Sequence, residues 1–444
     1  MKYNFIKQRG MGGFGVVDMV ETKNGDLFAR KTFRVSPLLG ADEALEKTSK
    51  KRFIKEAKYQ KEIKHRNIVP VLESYLDKEP PYIIMPLAEA SLNDDIISGV
   101  IHKGNFIEAI ADVMAGLEEI HELGIYHRDL KPSNILRFKA SVKKDRDFYA
   151  ISDFGLMSMK ETSVTTLTAT GTTRNSDFYT APEITIDLTA ASIQSDIYSV
   201  GCLIHDFIAT NPARVPCGEI NESNEYGSIL SGCTRLDPKR RFKDISSLRD
   251  ALASLDIKNL TTSTATGNEI VQTLDDEVTL QEGFVYKLVH FLTTQKDNDD
   301  RDTVLKKLTL SHIIELKQFP LQFKQIGLVY AEWVRKKSFT FEFCDTLCNR
   351  MMKFVSNSEI DLQCEGLMAL LYMGTSHNRF YVERSFFNFV SETEDEQLIK
   401  RLNIEIRVDG ESAVEAFYHL KRSISASLSD LPKIIVNAIN VSKK

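Results

Sequence analysis

The run His127-Arg128-Asp129-Leu130-Lys131-Pro132-Ser133-Asn134, with Asp153-Phe154-Gly155 beginning 19 residues after Asn134, constrains this chain more than any other feature. It gathers a base-like carboxylate, Asp129, and a cation two positions on, Lys131. Asn134 and Asp153 add two oxygen-bearing side chains of the kind that hold a hard divalent cation.

The residues ahead of that run supply a place for phosphate. Gly10-Met11-Gly12-Gly13-Phe14-Gly15-Val16-Val17 gathers four glycines between two strand-like segments, residues 3–9 and 15–20. A glycine turn lets backbone N–H groups lie close over phosphates. Alone, such a hairpin is common. Lys31 lies 14 residues past Val17 on a third strand, 27–33, from which a lysine can reach back under the glycines. A charged helix over 47–63 carries Glu56, nine residues before His65; by itself this residue reads as surface charge on a helix. Residues 82–85 read as a buried strand. Ile107, Ile110, Met114, Leu117 and Ile120 recur at spacings of three and four, so a helix with one buried face runs up to Gly124. Phosphoryl transfer needs positioned cations, an aligned nucleophile and oxygen ligands more than covalent work from the protein, and these are the parts present.

On these residues the chain resembles the eukaryotic-type (Hanks-type) protein kinase superfamily, and Lys131 within the 127–134 run resembles its serine/threonine members. Further motifs stand in the family's order: His65-Arg66-Asn67-Ile68-Val69, Ala181-Pro182-Glu183, Asp196 within 195–201, and Asp237-Pro238-Lys239-Arg240-Arg241. The resemblance covers residues 10–241 and implies an α+β bilobal fold: an antiparallel sheet with one helix, the family's αC, above a mainly helical lobe. It implies ATP under Gly10, Gly12, Gly13 and Gly15. The adenine would lie between Val17, Ala29 and Leu136, against a hinge with Met85 as gatekeeper and Ala88 as its N–H donor. It implies Lys31 on the phosphates, held by Glu56, with Asp129 orienting the acceptor hydroxyl and Lys131 steadying the γ-phosphoryl. Asn134 and Asp153 would bind Mg²⁺, with Mn²⁺ as the alternative cation. Asp196 would anchor the catalytic loop, and Arg241 would pair with Glu183. Arg128 and the hydroxyls Ser158, Thr162, Ser163, Thr165, Thr166, Thr168 and Thr170 imply autophosphorylation in the activation loop.

The pattern departs from the family in definite places. Arg9 stands where an aliphatic side chain roofs the adenine, and its stem is expected to do that work. Gln60 stands where an apolar residue completes a spine between the lobes, with Tyr59 or a partner as a candidate substitute. Residues 35–49, 138–147 and 174–178 read as insertions, the second as a solvated basic hairpin around Lys139, Lys143, Lys144 and Arg146. Residues 211–225 are short for a region that docks substrate.

At 444 residues the chain exceeds one average domain. Residues 261–268, Thr-Thr-Ser-Thr-Ala-Thr-Gly-Asn, read as linker, which divides the chain into a kinase domain over 1–258, a linker over 259–269 and an all-α domain over 270–444. Between residues 270 and 431 the only proline is Pro320, and apolar residues recur at helical spacing. Seven to nine helices are expected there, with 380–390 open between strand and helix, and bundle and solenoid both open. A net charge of −5 gives no bulk attraction to nucleic acid or acidic membrane, and no apolar run approaches a membrane span. Six scattered cysteines suggest reduced thiols and a cytoplasmic location; Cys344 and Cys348, one helical turn apart, read as a core pair. The expected function is an ATP-dependent serine/threonine protein kinase acting on protein substrates. Its helical half would serve regulation or targeting through an unidentified protein partner, with the oligomeric state open. A kinase-fold scaffold acting through that half is the alternative.

Overall fold

A computed structural model describes residues 3–12, 14–36, 43–102, 104–140, 146–153, 178–209, 213–276, 279–295 and 299–442. The chain forms two compact units, residues 1–248 and 249–444.

The first unit opens with β1 (Asn4–Met11), β2 (Gly15–Glu21) and β3 (Leu27–Phe33). Helix α1 (Glu43–Glu62) follows, then β4 (Glu73–Tyr75) and β5 (Tyr82–Pro86). The strands make one antiparallel sheet in the order β1-β2-β3-β5-β4. Every described residue of the edge strand β1 is exposed, whereas Ala29 and Phe33 of β3 are buried. Side chains alternate across a strand, so Lys31 shares the inward face with those two. Register sets Val17 and Ile83 beside Lys31, and Met85 beside Ala29.

Helix α1 starts four residues earlier than its sequence suggests. Its first turn carries Glu43 and Glu46, both favourable to the helix N-terminus. The inward stripe is Ser49, Phe53, Ala57, Gln60 and Ile63. Tyr59 is 47% exposed, so it does not stand in for Gln60.

Below the sheet lie β6 (Ala90–Ser91), α2 (Leu92–Ile97), α3 (Phe106–Glu122), β7 (Ile135–Phe138) and β8 (Phe148–Ile151). They are followed by α4 (Pro182–Ile186), α5 (Ile193–Ile208) and α6 (Gly227–Thr234). Helix α3 is buried on more than one face: Phe106, every residue from 109 to 117, and Ile120 are inside, while Ile107 is only half-buried. At Gly116 an added Cβ would come within 2.6 Å of the Asn67 carbonyl, so close packing explains the glycine. Strands β6, β7 and β8 form a small sheet. It is pinned by the buried Asp95 carboxylate, which accepts from Arg137 Nε at 2.8 Å and from Tyr149 Oη at 2.8 Å. Arg146, expected in a solvated hairpin, instead donates to the buried carboxylate of Asp112 at 2.9 Å; Lys143 and Lys144 lie outside the described residues. Residues 37–42 and 174–177 of the other insertions also lie outside them.

Helix α7 (Ile245–Ile257) contains the boundary between the units. After it come α8 (Ala265–Asp276), α9 (Glu282–Thr294), α10 (Asp299–Lys307), α11 (Leu310–Leu316), α12 (Pro320–Lys336) and α13 (Phe341–Val355). Then follow α14 (Ile360–Ser376), α15 (Phe380–Glu392), α16 (Glu396–Asp409), α17 (Glu411–Ser423) and α18 (Lys433–Val441). That is eleven helices from α8 to α18 among the described residues, more than expected, and 380–390 is helical. Helices α12, α14, α16 and α18 pack in succession as one layer, and α11, α13 and α15 as another. This alternate-neighbour packing is that of a two-layered helical stack, not of a closed bundle. One apolar core runs through it from Ile270 to Ile439 and includes Cys344 and Cys348.

The stretch expected as linker is partly structured. Helix α8 begins at Ala265, and the Asp300 carboxylate accepts from Ser263 N (2.6 Å), Ser263 Oγ (3.0 Å), Thr264 N (3.2 Å) and Thr264 Oγ1 (3.0 Å). A carboxylate 36 residues downstream thus caps a segment that composition marks as loose. Buried charges also meet in pairs: Arg350 Nε with Asp250 at 2.6 Å, and Arg379 Nε with Asp345 at 2.6 Å. No helix among the described residues is long and apolar enough to cross a membrane.

Candidate active site

The site is assembled from β3, α1, and the loops before β7 and after β8. Lys31 Nζ lies 2.7 Å from Asp153 Oδ1 and 3.5 Å from Glu56 Oε1. Burial pushes the Glu56 carboxyl up, to about 7, against the pull of Lys31. For Lys31 burial opposes the charge, but Asp153 and Glu56 outweigh it and hold the ammonium above its ordinary range. Burial likewise works against the Asp153 carboxylate, yet Lys31 keeps its pKa below the ordinary value.

The 127–134 loop hangs on one buried carboxylate. Asp196, on α5, accepts from His127 N at 2.8 Å and from Arg128 N at 3.0 Å, and lies 2.9 Å from His121 Nε2. Burial alone would raise its pKa; the bond and charge of His121, the charge of His127 and the Arg128 N–H hold it low. The wholly buried His127 ring, its pKa lowered by desolvation, sets Nε2 3.0 Å from the Ser152 carbonyl. That contact joins the loop to the segment carrying Asp153. Arg128 and Asp153 both adopt left-handed backbone, with φ of 67° and 60°. For residues with a Cβ this costs roughly 1–3 kcal/mol each. The surrounding hydrogen bonds maintain it.

Lys131 Nζ donates to both Asp129 oxygens, at 3.0 and 2.7 Å. Asn134 Nδ2 donates to the Asp129 carbonyl at 2.8 Å and to its carboxylate at 3.1 Å. With its nitrogen so used, the Asn134 side chain has its oxygen to offer a cation. Together with the Asp153 carboxylate this is a hard-oxygen donor set, which fits Mg²⁺ or Mn²⁺.

The predicted adenine contacts come together as well. Ala29 and Met85 are buried in the same apolar cluster against which Val17, Ala88 and Leu136 pack. Gly12 N donates to Gly15 O at 2.8 Å and closes the glycine turn. A Cβ on Gly15 would sit 3.5 Å from Lys31 Cε, so the turn rests directly on the lysine stem. Gly10 pairs with Val17 across the hairpin, and Gly13 lies outside the described residues. Arg9 is exposed and donates to the Glu89 carbonyl at 3.4 Å, beside the hinge. Arg241 grips Glu183 with two bonds, at 2.6 and 2.8 Å. Phe154, Gly155 and all seven activation-loop hydroxyls lie outside the described residues.

Sequence reasoning missed His121, Ser152 and the Asp95–Arg137–Tyr149 set. His121 had a visible signal, an imidazole in the last turn of a helix otherwise read for its apolar face. Ser152 meets His127 through its backbone carbonyl, which left none.

A protein kinase domain model matches residues 3–266, more than half of the chain. The chain is 28% identical over 262 residues to calcium/calmodulin-dependent protein kinase type 1 of Caenorhabditis briggsae, covering 57% of this chain and 67% of that protein. It is also 28% identical over 239 residues to the protein of the same name from Caenorhabditis elegans, covering 52% and 62%. Mitogen-activated protein kinase HOG1 of Gibberella zeae is 28% identical over 234 residues, covering 52% and 59%. The chain thus spans about three fifths to two thirds of the length of these relatives. Matched by that model over the residues that build this site, the chain belongs to the eukaryotic-type protein kinase superfamily.

Proposed function

We propose that this chain is an ATP-dependent serine/threonine protein kinase. The observation that carries the reading is the convergence of Lys31 on Glu56 and Asp153 beside the bonded set Asp129, Lys131 and Asn134. Lys31, kept charged by two carboxylates, is suited to hold the α and β phosphates. Asp129 orients the acceptor hydroxyl and takes its proton, while Lys131, bonded to both Asp129 oxygens, steadies the transferring phosphoryl. Asn134 and Asp153 would hold Mg²⁺, which when bound neutralises phosphate charge. Val17, Ala29, Met85, Ala88 and Leu136 exclude water from the adenine. Lys131 supports serine and threonine over tyrosine as acceptors.

The domain limits 1–258 and 270–444, autophosphorylation between Gly155 and Gly171, a cytoplasmic location, and a regulatory or targeting role for the helical unit belong to the same proposal. An assay with radiolabelled ATP and Mg²⁺ tests it, comparing the parent chain with Lys31→Ala and Asp153→Ala. Label transfer to serine and threonine by the parent alone is the expected result, and equal signal from all three overturns it. Phosphopeptide mapping against Asp129→Asn tests the loop: absence of phosphate there in the parent removes the autophosphorylation claim.

A further inference from the structure

Gln60 is the long polar member of the inward stripe of α1 and is 2% exposed. Its Nε2 donates to the Val69 carbonyl at 2.7 Å. Val69 N donates to Ile151 O at 3.0 Å, and Ile151 N donates to Asn67 O at 2.9 Å. Asn67 Nδ2 closes the set on Tyr149 O at 2.8 Å. Tyr149 and Ile151 belong to β8, and Asp153 stands two residues past its end. Glu56 lies one turn before Gln60 on the same helix face. A continuous polar chain therefore links the element that carries Glu56 to the element that carries Asp153. These are the two carboxylates that share Lys31.

An apolar side chain would hold α1 by contact area, which permits small slides. A hydrogen bond to a single carbonyl is directional and weakens steeply when misaligned, so it fixes register. A buried carbonyl that loses its donor also carries a desolvation cost, which discourages alternative positions of the helix. We propose that Gln60 is a positioning residue for phosphoryl transfer: through Val69 it sets α1 in register with β8 and so keeps Glu56 within reach of Lys31. The proposal deepens the kinase reading and rests on it.

The test uses the full chain and Gln60→Met, which keeps the length and removes the donor. The expected loss in kcat/KM for ATP is roughly five- to tenfold, the worth of one buried hydrogen bond. Glu56, its carboxyl raised to about 7 by burial, is expected to give the parent's pH profile a limb there, and that limb should move to lower pH as the carboxylate leaves its buried place among Lys31, Asp153 and Asp129. A purely structural role would scale the profile without moving that limb; a fixed limb, or a loss under twofold, overturns the proposal. Gln60→Asn keeps polarity but withdraws the donor by one methylene, and serves if the methionine variant does not fold; a parent-like profile again overturns the proposal. Hydrogen exchange reads the link without turnover. The amides of α1 and β8 should exchange faster together in the variant, and unchanged α1 protection refutes the link. An inactive parent with the α1 effect intact would indict the kinase reading alone.

Discussion

Both units use left-handed backbone, but they place it on different residues for different ends. In the helical unit it falls, among the described residues other than glycine, on Asn357, Asn378 and Ser425, with φ of 59°, 49° and 54°. Each of these directly follows a helix C-cap: Ser356, His377 and Ile424. Short polar residues tolerate that conformation and end a helix cheaply. The first unit does the same with Gly124 after Leu123, and puts Cys217 in a turn. On Arg128 and Asp153, however, the conformation ends no helix. There it sits on charged residues in the loops of the active site, where binding to Asp196 and Lys31 supplies the compensation. Unfavourable backbone in one unit serves helix termination, and in the other it serves the placement of charge.

If charge in the helical unit serves stability alone, removing it should cost folding and spare chemistry. Arg350 is fully buried and binds both Asp250 and the Lys306 carbonyl. Arg350→Met should destabilise that unit by about 3–5 kcal/mol, because Asp250 is left buried without its partner. Denaturant unfolding of the full chain measures this, and kinase turnover well below the unfolding midpoint should stay within twofold. A loss of turnover without loss of stability would break the comparison.

The pH response should differ in sign between the units. Glu56 has a folded pKa raised to about 7 from an ordinary 4.5. Its contribution to stability is full below about 4.5 and is lost as pH climbs through about 7. Its pairing with Lys31 needs the ionised form, so kcat/KM should rise over the same interval. Asp300 is the opposite case. Burial would raise its pKa, but the donors on Ser263 and Thr264 outweigh that and hold it low. Its stabilising effect is present above the ordinary aspartate range and fades as pH falls through its folded pKa. Thermal unfolding from about pH 2 to about pH 8 checks both signs, with Asp300→Asn and Glu56→Gln removing the respective trends.

The smallest effect tests the caps. Asn378→Ala should cost about 1 kcal/mol, since alanine tolerates left-handed backbone less readily than asparagine. Asn378→Gly should be near neutral. Arg128→Gly relieves the same kind of strain in the first unit yet should lower turnover. A gain in turnover there would show that the strained loop serves no purpose.

What the sequence made legible follows from how local its causes are. The β1–β3 hairpins were readable because glycine turns and alternation are short-range signals, and the 127–134 run because its chemistry needs fixed spacing. Tyr59 adjoins Gln60 in sequence, but the stripe 53, 57, 60, 63 follows helical period and leaves 59 outside. The helix count fell short because α10, α11 and α18 have only nine, seven and nine residues, too few for a period to show. Residues 380–390 were ambiguous because aromatic residues suit strands and buried helices alike. Their helix begins after Arg379, whose guanidinium binds Asp345, a contact spanning 34 residues that no local pattern announces.

The Asp300 cap has a practical bearing on how the molecule can be cut or extended. Residues 261–268, all small or polar, are where composition would place a tag, a protease site or a spacer. An insertion between Ser263 and Ala265 would pull four donors off one carboxylate at once and unseat the start of α8. The most inviting place to open this chain is a joint already fastened from the far side.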